Sequence, residues 1–125
     1  MTILIADDDD LLRELVEIVL TSAGYKVSAH PNGRLAWESL QKTGADMAVH
    51  DINMPEMDGL ELLDCIRADD RFKEMPVMIL TSNRGASDQA HGYERGADDY
   101  LTKPFENDML LKRVKLLEQA FPKNG

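Results

Sequence analysis

With 125 residues, 43% of them hydrophobic, the chain has material for one domain built on a single core. Its 23 acidic residues against 14 basic give a formal net charge of -9, which excludes a bare nucleic-acid-binding module, since that needs a basic stripe. One cysteine, Cys65, excludes an internal disulfide framework and reads as a small buried hydrophobe; with no apolar run near the roughly 20 residues of a membrane span and no signal-like N-terminus, a soluble, cytoplasmic chain is expected.

The first element is an apolar strand, Ile3 to Ala6, interrupted by four aspartates, Asp7 to Asp10. At about 4 Å and a protein-surface dielectric two such charges repel by roughly 4 kcal/mol, so a cation is expected there. A helix follows, its period carried by Leu11, Leu12, Leu15, Val16 and Val19, with Asp10 as a good N-cap and Gly24 as its stop. Tyr25, Val27 and Ala29 alternate with polar residues, as in an edge strand. After a helix around Leu35 to Leu40, Met47 to Val49 is an unbroken apolar run closed by His50 and Asp51; Pro76 to Leu80, beyond a helix carrying Leu60, Leu63 and Ile66, is another. Unbroken runs belong at a sheet centre. A weak helix spans about Ser87 to Arg95, made marginal by Gly92 within it and Gly85 just ahead. Tyr100 to Thr102 is a mixed, edge-like strand before Lys103 and Pro104, and Phe105, Met109, Val114, Leu117 and Phe121 trace the buried side of a final helix.

Five strands, each followed by a helix, imply an α/β fold: a five-stranded parallel sheet with helices on both faces, because parallel neighbours require right-handed crossovers. With the second and fifth strands at the edges the order is 2-1-3-4-5, and ligands bind where that order reverses, at the carboxyl ends of the first and third strands. Asp7, Asp8 and Asp51 fall there. Carboxylate oxygens with water suit Mg²⁺, while His30, His50 and His91 lack the spacing of zinc ligands. Lys103, ending the fifth strand, supplies a positive charge for a transferring phosphoryl group; Thr81, ending the fourth, supplies a hydroxyl, and the loops beginning at Ile52 and Ser82 supply backbone N–H groups. Each residue has a plain reading of its own: a solvated helix start, a turn aspartate, a structural hydroxyl, a surface lysine. None of these explains why four strands end in complementary groups.

The acidic pair in ILIADDDD with Arg13 following, DINMPEMDG from Asp51, the TS pair at Thr81 and GADDYLTKPF ending at Phe105 together resemble the receiver domain of two-component response regulators, including the single-domain chemotaxis type. The resemblance spans nearly the whole chain and implies a flavodoxin-like receiver over residues 1–121, with 122–125 a C-terminal tail. It implies that Asp51 accepts a phosphoryl group from a phosphohistidine on a histidine kinase or histidine phosphotransfer protein. By the same matching Asp8, Asp51 and the Asn53 carbonyl hold Mg²⁺, Asp7 acts through metal-bound water, and Thr81 and Lys103 bind the phosphoryl oxygens. A cis Lys103–Pro104 bond, and a Tyr100 that changes rotamer as Thr81 moves, are implied as well.

The output then runs through the surface of the fourth helix, fifth strand and fifth helix to a downstream protein or output domain, with no direct nucleic-acid or membrane contact. A monomer or a phosphorylation-dependent dimer is expected. Three positions depart from the usual pattern or colour it: His50, where similar domains often carry an apolar residue, and the neutral amides Asn53 and Asn83, each two residues beyond a site residue. Two competing readings are a Mg²⁺-dependent phosphohydrolase using Asp51 as nucleophile, for which no segment looks like a substrate cap, and a degenerate scaffold, against which stand the five filled site positions.

Overall fold

The computed structural model describes residues 1–82 and 95–121. Its strands are β1 (Thr2–Ala6), β2 (Lys26–His30), β3 (Met47–Asp51), β4 (Val77–Thr81) and β5 (Asp99–Thr102). They form one sheet in the order β2-β1-β3-β4-β5, with every neighbouring pair parallel, as the alternation of elements and the two edge-like strands require. All five residues of β3 and all five of β4 are buried, which is why those segments read as unbroken apolar runs, whereas β2 keeps partial exposure along its length.

Alternation along the strands splits the core in two. Ile3, Ile5, Met47, Val49, Met78 and Leu80 face α1 (Asp10–Ser22) and the C-terminal helix (Asn107–Ala120). Leu4, Ala6, Ala48, Val77, Ile79 and Tyr100 face α2 (Gly33–Thr43) and α3 (Gly59–Ala68). Cap residues start each of the first three helices: the carboxylates or amide of Asp9, Asn32 and Asp58 accept from Leu12, Leu35 and Glu61 N–H, and Glu61 returns a bond to Asp58 N–H in a capping box.

Several expectations require correction. Asp9, extended at φ -81 and ψ 109, is the N-cap of α1, while Asp10 is its first helical residue and pairs with Arg13 at 2.6 Å. The buried side of α1 is Val16 and Leu20, flanked by Leu12 and Val19; Leu11 is 80% exposed and Leu15 41%. On the C-terminal helix the buried residues are Leu110, Val114 and Leu117, spaced at i, i+4 and i+7, and Met109 and Phe121 lie outside that stripe. In both helices the sequence holds more apolar residues than one face can bury, so the period finds Val16, Val114 and Leu117 but also takes in the exposed Leu11, Leu15, Met109 and Phe121. Cys65 is only partly buried, with its thiol pushed up by burial and by Asp64 and Glu61. Most of the helix expected around Ser87 to Arg95, together with Asn83, His91 and residues 122–125, lies outside the described residues. Among the described residues, no helix is long and apolar enough to cross a membrane.

Candidate functional site

Strand register assembles the site. Ala6 pairs with His50 and Asp51 with Leu80, so Asp7 stands beside Asp51 one step beyond the β1–β3 ladder, with Thr81 one residue further along β4. Thr81 in turn pairs with Thr102, which puts Lys103 one step past β5, where its N–H donates to the Thr81 carbonyl at 2.7 Å. The residues that the sequence placed at four strand ends therefore lie along the same carboxyl end of the sheet, with Asp7 and Asp51 at the reversal between β1 and β3.

Asp7 is fully buried, Asp51 is buried and Asp8 is exposed; one carboxylate oxygen from each lies within 4.8 Å of the others. Lys103 Nζ stands 2.9 Å from Asp7 Oδ2 and 3.2 Å from Asp51 Oδ2. Both oxygens of each buried carboxylate are engaged: Asp7 Oδ1 accepts from Asp9 N–H at 3.0 Å, and Asp51 Oδ1 accepts from Ile52 N–H at 2.7 Å. Burial raises the Asp51 carboxyl above the ordinary aspartate value; Lys103 opposes this and Asp7 adds to it. Burial pulls the Lys103 ammonium down, but its hydrogen bond to Asp7 and the charge of Asp51 outweigh that and leave it raised. The donor set is entirely carboxylate oxygen and open to solvent at Asp8, which fits a hard, partly hydrated divalent ion such as Mg²⁺ and gives zinc no nitrogen or sulfur.

Other expected residues take distinct places. Thr81 is buried at the end of β4, and Asn53 is exposed in the loop two residues beyond Asp51. Tyr100 is buried on the α2–α3 face, opposite to the side that Asp51 takes by alternation along β3. The Lys103–Pro104 bond is cis. His30 sits at the β2 edge with Nε2 2.7 Å from Ser28 Oγ, and His50 is buried; neither belongs to the acidic cluster.

Sequence reasoning assigned no role to three supports of the site. Arg13 Nη1 donates to the Asp7 carbonyl at 2.8 Å, and its i+6 placement, one turn into α1, was the available signal. Gly59 packs so closely that a Cβ there would overlap the Asp51 carbonyl oxygen, and its N–H donates to the Ile52 carbonyl at 2.6 Å. Glu56 holds φ 69 in the loop after Asp51 and accepts from Arg34 Nε of α2 at 2.6 Å.

A family model described as the response regulator receiver domain matches residues 3–115. The chain is 40% identical over 116 residues to the transcriptional regulatory protein GltR of Pseudomonas aeruginosa, covering 93% of this chain and 48% of that protein. It is 33% identical over 119 residues to the chemotaxis protein CheY1 of Helicobacter pylori, covering 94% of this chain and 96% of that one. Among solved structures, the signal receiver domain of a histidine kinase from Syntrophus aciditrophicus superposes with a TM-score of 0.90 at 32% identity, over 99% of this chain and 94% of that one. The chain spans about half the length of several curated relatives that it matches.

Proposed function

The chain belongs to the response regulator receiver family, and from that membership we propose that it is a Mg²⁺-dependent phosphorelay switch, not a catalyst for an external substrate, with Asp51 as its phosphoacceptor. The observation that carries this reading is the convergence of Asp7, Asp8 and Asp51 around one position, with Lys103 beside them. Asp8, Asp51 and the Asn53 carbonyl would hold Mg²⁺, with Asp7 acting through a water. The ion supplies neutralisation of charge between the carboxylate nucleophile and the phosphoryl oxygens. In the transfer, the bond from Asp51 Oδ2 to phosphorus forms as the nitrogen–phosphorus bond of a partner's phosphohistidine breaks, leaving an aspartyl phosphate and a free imidazole.

Lys103 already lies against Asp51 Oδ2, so its ammonium is placed to follow the negative charge onto the new phosphoryl oxygens. The Thr81 hydroxyl approaches those oxygens from the end of β4, and Tyr100 responds by changing rotamer. The output then passes to the surface formed by the segment after β4, β5 and the C-terminal helix. A cleft of about 640 Å³, lined by Tyr100, Pro104, Phe105, Met109 and Arg113, supports that face as the contact for a downstream protein or output domain.

The phosphoryl source is a histidine kinase or histidine phosphotransfer protein. Leu11, Leu15 and Ile18, exposed at i, i+4 and i+7 on α1, form an apolar stripe that begins three residues after Asp8, which supports docking of a partner helix next to the acceptor. We take residues 1–121 as the receiver unit, acting in the cytoplasm as a monomer or a phosphorylation-dependent dimer, without direct nucleic-acid or membrane contact.

The test is incubation with acetyl phosphate with and without Mg²⁺, reading intact mass and oligomeric state together. One phosphoryl group per chain is expected, only with Mg²⁺, and none in Asp51→Ala. A mass gain persisting in Asp51→Ala, or repeated turnover of the donor by the parent without a phosphorylated protein, overturns the assignment.

A further inference from the structure

His50 precedes the phosphoacceptor and is 1% exposed on the α2–α3 side of the sheet. An aliphatic residue would fill that place without the cost of desolvating two ring nitrogens. The imidazole instead folds toward its neighbour, with Nδ1 3.0 Å from the Asp51 carbonyl oxygen. A carbonyl only accepts, so Nδ1 carries the proton and Nε2 is a bare acceptor, and Nε2 has no hydrogen-bond partner among the described residues. Packing alone does not account for a buried ring whose second nitrogen is unpaired among the described residues.

The function lies in the peptide unit between Asp51 and Ile52. Its oxygen end accepts a hydrogen bond from His50 Nδ1–H, and its N–H end donates to Asp51 Oδ1 at 2.7 Å. Rotation of that peptide plane moves both ends together, so a grip on the carbonyl fixes which carboxylate oxygen is tied to the backbone. Gly59 packs against the same carbonyl, where its lack of a Cβ permits contact. With Oδ1 held, Oδ2 is the oxygen left facing Lys103. Resting on the reading that Asp51 is phosphorylated, we propose that His50 is a positioning residue that locks the 51–52 peptide, so that Asp51 presents Oδ2 as the attacking atom.

The test compares two variants in the full chain. In His50→Leu the branched side chain keeps the volume and loses the donor; in His50→Asn the amide nitrogen stands the same number of bonds from Cα as Nδ1 and can donate. At saturating Mg²⁺ and acetyl phosphate, followed by intact mass, His50→Leu is expected to phosphorylate at least about tenfold more slowly, as misplacement of a reacting group predicts. His50→Asn recovers most of the rate. Amide hydrogen exchange at Ile52 accelerates in His50→Leu and not in His50→Asn, while the thermal midpoint of His50→Leu stays at or above the parent's, which a purely structural role would not produce. If His50→Leu folds poorly, His50→Met makes the same comparison. Parent-like phosphorylation in His50→Leu, or a rate in His50→Asn as low as in His50→Leu, overturns the proposal. Failure of the parent itself to gain mass is a separate result that strikes the Asp51 assignment instead.

Discussion

Lys103 Nζ lies 3.2 Å from Asp51 Oδ2 and also holds Asp7, so one ammonium is the only cation within ion-pair distance of both buried carboxylates among the described residues. Removing it leaves adjacent negative charges with little solvent to screen them. Lys103→Ala is expected to lower the stability of the metal-free protein by roughly 3 kcal/mol, as for a buried pair that loses one partner. Mg²⁺ then replaces the missing charge, so the variant binds Mg²⁺ more tightly than the parent and regains part of the loss. Denaturant midpoints with and without Mg²⁺ read both effects; an unchanged midpoint without metal would show that the carboxylates do not depend on the lysine.

Gly59 is fixed by the acceptor it touches. A Cβ would overlap the Asp51 carbonyl oxygen and stand 2.7 Å from Ile52 Cα, both backbone atoms that cannot swing aside. Gly59→Ala is expected to cost about 2 kcal/mol by overpacking and to slow phosphorylation by displacing Asp51. Gly24 serves as the control: at φ 97 it is strained by a side chain but meets nothing within 4 Å, so Gly24→Ala lowers stability and leaves the phosphorylation rate unchanged. Equal rates for the two variants would deny the contact its role.

The topology and the acidic site were legible because both follow from signals local to each element. Unbroken apolar runs marked β3 and β4 as central, alternation marked β2 as an edge, and ionisable groups at strand ends marked Asp7, Asp51 and Lys103. What sequence did not resolve depends on contacts between elements. Leu11 and Leu15 fit the period of α1 as well as Val16 does, and only the position of the C-terminal helix decides which face is covered. The His50 bond to the Asp51 carbonyl and the close approach of Gly59 arise from backbone geometry that no residue spacing encodes.

Glu56 adopts the left-handed region at φ 69, one residue beyond Pro55, while its carboxylate holds Arg34. Two substitutions separate those facts. Glu56→Ala and Glu56→Gly both lose the exposed ion pair, but only glycine relieves the backbone, so Glu56→Gly is expected to be about 1 kcal/mol more stable than Glu56→Ala. Equal thermal midpoints would mean that the turn relaxes to negative φ without cost.

Trp37 is partly buried on α2, packed against the core on the α2–α3 face. Asp51 takes the opposite side by alternation along β3, so Mg²⁺ or a phosphate mimic is expected to change Trp37 emission little. A large quench on saturation with Mg²⁺ would show that α2 moves with the site.

Tyr25 connects the approach to β2 with the C-terminal helix, its hydroxyl donating to Glu118 Oε1 at 2.7 Å. Its pKa is pushed up to about 12 by burial first, then by the hydrogen bond to Glu118 and the charge of that carboxylate. The folded protein therefore holds the phenolic proton more tightly than the unfolded chain, whose value is 10.0. The resulting stability is fully present below pH 10 and is lost as pH rises toward 12. Phenolate absorbance of the parent minus that of Tyr25→Phe should show a midpoint near 12, and Glu118→Gln should lower it while leaving it above 10, because burial remains the larger cause. A difference midpoint at 10 in the parent would place the hydroxyl in water and detach the C-terminal helix from this contact.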